Sequence, residues 1–536
     1  MSEQSSVTER SRSTEAVAEP VEAPNHILIE GDNLHALTAL TFTHEGKVDV
    51  IYTDPPYNTG NKDFKYNDSF VDREDSNRHS KWLSFMHKRL QIAKRLLSEK
   101  GVIFISIDDN EVAQLKIQCD EIFLEQNFIG IINWQRAYSP KNQSKKISKD
   151  VEYIICYAKN YEATDFSLLP RTEKMNNRYK NPDNDSRGPW KPGDLIANEE
   201  RKNGHYIIVG PKGNKFDSPP GKHWSFAQDK MEALQKDNRL FFGKEGTAIP
   251  SLKQFLTEVQ QGRKASTLFL HDEAGHNDEA KKELKEFFNQ SDELFSTPKP
   301  TRLIKQLLRL SINKNPIVLD FFAGSGTTLQ SIITLNNEDG QNRQCILVTN
   351  NENNICEEIT YERNRKVIQG YTNAKGEQVA GLTNNNLRYY KSEFVNREPN
   401  IKNKRELTKL ATELLCIKED CYNVLELPGM PDAKMFGNKQ KYLLIIYNDA
   451  TIEEAVEFIK TLADKEIKVK VYVFSNGQYA YTEEFEEVLD RVELCALPDA
   501  IYKAYQNVLP KKKREAIPVL DDDAVDSQTN ETSDDE

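Results

Sequence analysis

The chain has 536 residues, 38% of them hydrophobic and 29% charged, which is room for two or three domains with their own cores. No run of 18 apolar residues offers a membrane span, the N-terminus lacks a signal-peptide layout, and seven cysteines without CxxC pairs or zinc-ligand spacing exclude a disulfide framework and a structural metal site. The net charge of −12 sits at the ends, with −3 in residues 1–25 and −8 in Asp521–Glu536, so it does not exclude a nucleic-acid partner.

Residues 1–24 are rich in Ser, Thr, Glu and Ala and are expected to be disordered, and the thiols are read as reduced ones in a cytoplasmic protein. Order is predicted to begin with a strand at His26–Glu30, followed by a helix from Asn33 to Phe42 and a buried strand at Val48–Tyr52. Leu83, Met86, Leu90, Ala93 and Leu97 recur at helical spacing and predict an amphipathic helix over 80–98, with a strand at Val102–Ile107. From about Trp134 to Asp278 regular periodicity is lost, and Tyr153–Tyr157 reads as an isolated strand. Residues 134–230 of that stretch hold 18 Lys and Arg against 12 Asp and Glu. Helical pattern returns at Glu279–Phe288 and at Thr301–Ser311, followed by a strand at Ile317–Asp320, a helix over 327–335 and a strand at Cys345–Thr349. These α/β patterns form either two domains or one sheet assembled from both flanks of an insert. Residues 404–510 predict a third, small α/β domain, and Lys511–Arg514 with the acidic tail close the chain without fixed structure.

Two motifs carry chemistry. Asp54-Pro55-Pro56-Tyr57 directly follows a strand, at the sheet edge where open α/β sheets bind ligands. An exocyclic amine of a base is a poor nucleophile because its lone pair is delocalised into the ring. Acceptors for its two hydrogens, the Asp54 carboxylate and the Pro55 carbonyl, would turn the lone pair outward and stabilise the developing positive charge. The prolines fix that corner, and Tyr57 is placed to stack on a flipped base. A bland alternative is a Pro-Pro strand terminator with a turn aspartate. The second motif, Asp320 to Thr328, joins a strand to a helix, and Gly324 and Gly326 allow a tight turn and close backbone approach to a ligand. It lacks the P-loop lysine, and Leu329 replaces the third glycine of a dinucleotide fingerprint.

Together, Asp54-Pro-Pro-Tyr57 and Phe322-Ala323-Gly324-Ser-Gly326 resemble the paired signatures of DNA amino-methyltransferases, in the β-group order with the catalytic motif first. Asp54–Gly60, Pro298-Lys-Pro300, Asp320–Thr328 and Thr349-Asn-Asn-Glu352 resemble the Mod subunits of type III restriction–modification systems. Arg187-Gly-Pro-Trp190 and Asp272-Glu-Ala-Gly275 do so too.

The resemblance implies one Rossmann-like, S-adenosylmethionine-dependent methyltransferase fold with an inserted target recognition domain and a small C-terminal α/β domain. Its halves would be residues 25–135 and 295–403, its insert 136–294. Residues 404–510 would make dimer and partner contacts, and 511–536 would be a disordered acidic tail. Asp54, Pro55, Pro56 and Tyr57 are then the catalytic residues. Asp32, Lys299, Asp320, Phe322, Ala323, Gly324, Gly326, Thr327 and Asn350 bind S-adenosyl-L-methionine, with Asp32 near its adenine and Lys299 on its methionine side. Asp32 as a plain turn residue and Lys299 as a plain helix-start residue are the structural alternatives. Relatives hold the ribose with a carboxylate where this chain has Thr349-Asn350-Asn351, which leaves Asn350 or Glu352 to do so. The implied substrate is adenine N6 in double-stranded DNA, since cytosine-N4 enzymes start the catalytic motif with Ser. The implied partners are a second copy of the chain and a type III helicase–nuclease subunit. A catalytically silent DNA-binding regulator is the reading from another class, disfavoured by intact Asp54, Tyr57 and Gly324. Trp190, Tyr206, His223 and Trp224 are read as core of the insert more readily than as base-stacking groups, with Lys212 and Lys222 beside them as candidate phosphate contacts.

Overall fold

The computed structural model describes residues 23–503, apart from 61–63, 67–68, 140–145, 199–202, 289–294, 374, 397, 439, 463–465, 475–480 and 499–500. The tails expected to be disordered fall outside these residues, except for 23 and 24. The described residues divide into two compact units, 23–37 with 45–392, and 38–44 with 393–503. Among the described residues no helix is long and apolar enough to cross a membrane.

The first unit is built on one nine-stranded sheet. Its strands are β1 (Asn25–Glu30), β2 (Val48–Thr53), β3 (Leu97–Ile107), β4 (Phe128–Gln135), β5 (Val151–Ala158), β6 (Leu268–Phe269), β7 (Ile317–Asp320), β8 (Gln344–Thr349) and β9 (Asn386–Lys391), in the order β6-β4-β5-β3-β2-β7-β8-β1-β9. Of the two architectures open from periodicity, the single sheet is the one adopted. Strand β7 from the second flank lies between β2 and β8, with Val318 paired to Val50 and Leu319 to Ile51 in parallel. Buried runs such as Val50-Ile51-Tyr52 and Val102–Ile105 are nearly continuous because a central parallel strand is covered on both faces.

Helix α1 (Asn33–His44) belongs to this unit as far as Leu37, and helices α2 (Arg78–Leu96), α3 (Val112–Phe123), α4 (Asn277–Lys285), α5 (Thr301–Leu308), α6 (Thr327–Asp339) and α7 (Glu362–Gln369) belong to it. Helix α2 buries Trp82, Met86, Leu90, Ala93 and Leu96, one residue off the predicted stripe at both ends. Helix α5 buries Leu303, Ile304, Leu307 and Leu308, each of which contributes about 1.5–3 kcal/mol.

Tyr153–Tyr157 is not an isolated strand. It is the centre of β5, antiparallel to both β3 and β4. The range 136–294 therefore includes two strands of the main sheet, β5 and β6, and its separately folded portion lies between them. That portion has short strands, a helix at Gln228–Lys236 that aperiodicity hid, and a core of Leu195, Ile208, Trp224, Met231, Leu240 and Phe242.

The second unit holds α8 (Ile401–Glu419), β10 (Val424–Leu425), β11 (Ala433–Gly437), β12 (Tyr442–Ile446), α9 (Ile452–Thr461), β13 (Val469–Val473) and β14 (Val492–Cys495), with the strands in that order in one sheet. Leu444 and Ile446 of β12 enter one core with Ala455 and Ile459 of α9. Leu443 and Ile445 enter another with Ala411 and Leu415 of α8. The period-two alternation of a strand thus feeds a core on each face.

Candidate active site

Because β2 and β7 are parallel neighbours, their C-terminal ends open onto the same edge, and the two motifs that follow them meet there. Asp54, Pro55, Pro56 and Tyr57 share one pocket of about 730 Å³ with Asp320, Phe322, Ala323, Gly324, Thr327, Lys299 and Asn350. A neighbouring cavity of about 140 Å³ is lined by Asp32, Asn33 and Arg89. The two cavities share Phe85, Phe322, Thr349 and Asn350 as walls.

The Asp54–Tyr57 corner is fixed from outside. Trp82, fully buried in α2, donates its indole N–H to the Pro56 carbonyl at 2.7 Å. Asn58 adopts φ +57°, which turns the chain sharply after Tyr57, and its amide donates to Glu111 at 2.6 Å. Asn tolerates that conformation better than other non-glycine residues.

Asp54 is not left bare. Its Oδ2 accepts from the Lys299 ammonium at 2.6 Å and its Oδ1 from the Tyr57 hydroxyl at 2.8 Å. Burial pushes the Asp54 carboxyl above the ordinary carboxylate range, and the charge of Lys299 pulls it back. Lys299 also donates to the Tyr57 oxygen at 2.9 Å. Lys299, expected on the methionine side of the cofactor, lines the shared pocket and bonds to the Asp54 corner. Neither its position after a proline nor its neighbours in sequence signal this contact across 245 residues.

The glycine turn is braced from behind. Asp320 accepts from the Phe322 amide at 3.1 Å and from the Thr328 hydroxyl at 2.5 Å, and burial raises its pKa to about 7. Fully buried Arg363 of α7 donates to the Thr327 hydroxyl at 2.8 Å and to the Ser325 carbonyl. Thr327 therefore holds the loop. Gly324 and Gly326 have φ of +49° and +76°. A Cβ at Gly326 would stand 2.4 Å from the Asn364 amide nitrogen. The amides of Phe322, Ala323 and Gly326 donate within the fold, to Asp320, Val348 and Ala323.

Asp32 caps α1 by accepting from the Leu34 amide at 2.8 Å and pairs with Arg89 at 3.2 Å, while it also lines the smaller cavity. The turn role and the wall position coexist. Asn350 is exposed and borders both cavities. Glu352 lines the larger pocket and forms an ion pair with Lys65.

Residues absent from the sequence reading complete the site. Glu152 of β5 is 4% exposed, lies 3.1 Å from the Tyr57 hydroxyl and 3.6 Å from Lys299, and accepts from Arg136 at 2.9 Å. Phe85 of α2 packs its ring 5.9 Å from that of Phe322. Among the insert residues, Trp190, His223 and Trp224 are buried, as the core reading requires, while Lys212 and Lys222 are exposed. Arg187 pairs with Asp185 and Asp237 and lies over Phe255, so its motif builds the fold of the insert.

A mostly parallel sheet with a proline corner and a glycine turn at one edge defines the Rossmann-like, S-adenosylmethionine-dependent methyltransferase class. A DNA methylase family model for N6 and N4 enzymes matches residues 48–373, and the chain belongs to that family. It is 37% identical to the type III restriction–modification enzyme StyLTI Mod subunit of Salmonella typhimurium, over 61% of this chain and 52% of that protein. Identity to the EcoP15I Mod subunit of Escherichia coli is 33%, over 65% and 61%. Identity to the type II methyltransferase M.KpnI of Klebsiella pneumoniae is 30%, over 66% and 87%. The matches thus span only 52% and 61% of the length of these two Mod relatives.

Proposed function

We propose that the chain methylates the N6 amine of adenine in double-stranded DNA as the modification and recognition subunit of a type III restriction–modification system. The observation that carries this reading is the meeting of the Asp54 corner and the Gly324 turn in one pocket. The two adjoining cavities suit an elongated cofactor, with Phe322 and Asn350 between its ends. S-adenosylmethionine supplies there a methyl group on a positively charged sulfur. Asp54 and the Pro55 carbonyl accept the amine hydrogens and hold the nitrogen lone pair towards that methyl. Tyr57 stacks on the flipped adenine.

The names of the relatives support a restriction subunit as partner. The second unit is assigned to homodimer and partner contacts, and the portion of the insert between β5 and β6 to target recognition. The test is transfer of labelled methyl to DNA lacking N6-methyladenine, followed by nucleoside analysis. N6-methyladenine is the expected product. N4-methylcytosine would replace the substrate assignment, and the absence of any transfer would favour a silent DNA-binding regulator.

A further inference from the structure

The Asp54 corner is more crowded than the two motifs suggest. Asp54 must offer an oxygen to the target amine, yet Oδ2 is bonded to the Lys299 ammonium at 2.6 Å and Oδ1 to Tyr57. A cation held against that acceptor also opposes the positive charge that grows on nitrogen during methyl transfer. A second carboxylate stands beside it. Glu152 of β5 has its Oε2 3.6 Å from Lys299 Nζ and 3.1 Å from the Tyr57 hydroxyl, and its Oε1 accepts from Arg136. Strand β5 places it there by pairing with β3, next to β2 in the sheet.

We propose that Glu152 is a positioning residue of the methylation site, which takes the Lys299 ammonium from Asp54 when the amine docks and keeps the cluster free of net positive charge during transfer. The inference rests on the adenine reading above. Lys299 is already an ion-pair partner of Glu152. A shift of under ~1 Å brings it to charge-assisted hydrogen-bond distance, and the Tyr57 hydroxyl, between the two carboxylates, can follow. Charge supports the same role. Asp54 and Glu152 balance Lys299 and Arg136, and loss of Glu152 alone leaves one positive charge facing the developing cation.

The test uses the full-length chain, labelled S-adenosylmethionine and DNA lacking N6-methyladenine. Glu152→Gln keeps the shape and removes the charge. Single-turnover methylation should fall roughly 10–100-fold, while cofactor and DNA dissociation constants stay within about threefold. Glu152→Asp and Glu152→Asn share a shorter side chain and differ in charge, so the Asp variant should outpace the Asn variant even if the Gln variant misfolds. Adding Lys299→Gln to Glu152→Gln should cost little more, because the remaining Asp54 and Arg136 balance. A readout without cofactor or DNA is competitive acylation of Lys299 followed by mass spectrometry. Removing the second carboxylate should lower the ammonium pKa and raise its reactivity. Equal rates for the Asp and Asn variants, unchanged Lys299 reactivity, or a rate loss matched by lost DNA binding would each overturn the proposal. A wild type that makes no N6-methyladenine fails the adenine reading instead, and the acylation result still decides whether Glu152 and Lys299 are coupled.

Discussion

Asp54 concentrates the proposed chemistry at the residue scale. Asp54→Ala removes a preorganised acceptor for a developing charge, so the methylation rate should fall on the order of 10²–10³-fold while specific DNA binding persists. Rapid-quench turnover beside a binding titration checks this, and near-normal turnover would sink the mechanism. The same carboxylate sets an acid limb. Asp54 must be ionised to accept the amine hydrogens, and burial raises its pKa while the charge of Lys299 lowers it. The rate should therefore decline as pH falls through a value above the ordinary carboxylate range. In Lys299→Gln the lowering influence is gone, so the limb should move to higher pH. Single-turnover pH profiles of both proteins measure the displacement, and a stationary limb would assign it to another group.

The glycine turn shows how an element is specified. Strand β7 ends at Asp320, whose carboxylate ties Phe322 to Thr328, and Gly326 then adopts φ +76° as the N-cap of α6. Gly326→Ala puts a side chain in the left-handed region and against Asn364. The expected cost is about 2 kcal/mol or more, with weakened cofactor binding, read by denaturant unfolding and a cofactor titration. Wild-type values for both would mean that the turn relaxes freely. Elements of this kind were legible in sequence where an apolar run met turn residues, as at Val48–Thr53 and Ile317–Asp320. Helix α3 was not, because its apolar residues are interspersed with polar ones that tertiary partners satisfy. Gln118, for example, donates to the Leu83 carbonyl at 2.8 Å.

Modularity is the question for the whole molecule. Exchange of 136–294 with a relative would carry away β5, β6 and Glu152, which belong to the sheet and the site. Exchange of 159–267 should instead move the methylated sequence to that of the donor while activity is kept, as methylated-base sequencing would record. A hybrid that still marks the original sequence would place recognition elsewhere. The second unit has two cores of its own. Ending the chain near residue 400 should shift its mass in light scattering from dimer towards monomer, and an unchanged dimer would refute the dimer assignment.

Local sequence determined the two motifs, the strands that precede them and the helix that the glycine turn starts. Each is encoded within about ten residues, by apolar runs, prolines and glycines whose backbone preferences are short-ranged. Tertiary structure decided which strands became neighbours, and with that the composition of the site. Lys299 reaches Asp54 across 245 residues, and Glu152 reaches Tyr57 across 95. Their side chains gave no local sign of this, because an ion pair between distant segments leaves no period in either one. Burial in the assembled pocket then raised the pKa of Asp54 and Tyr57, since only there is the water removed that would otherwise solvate them.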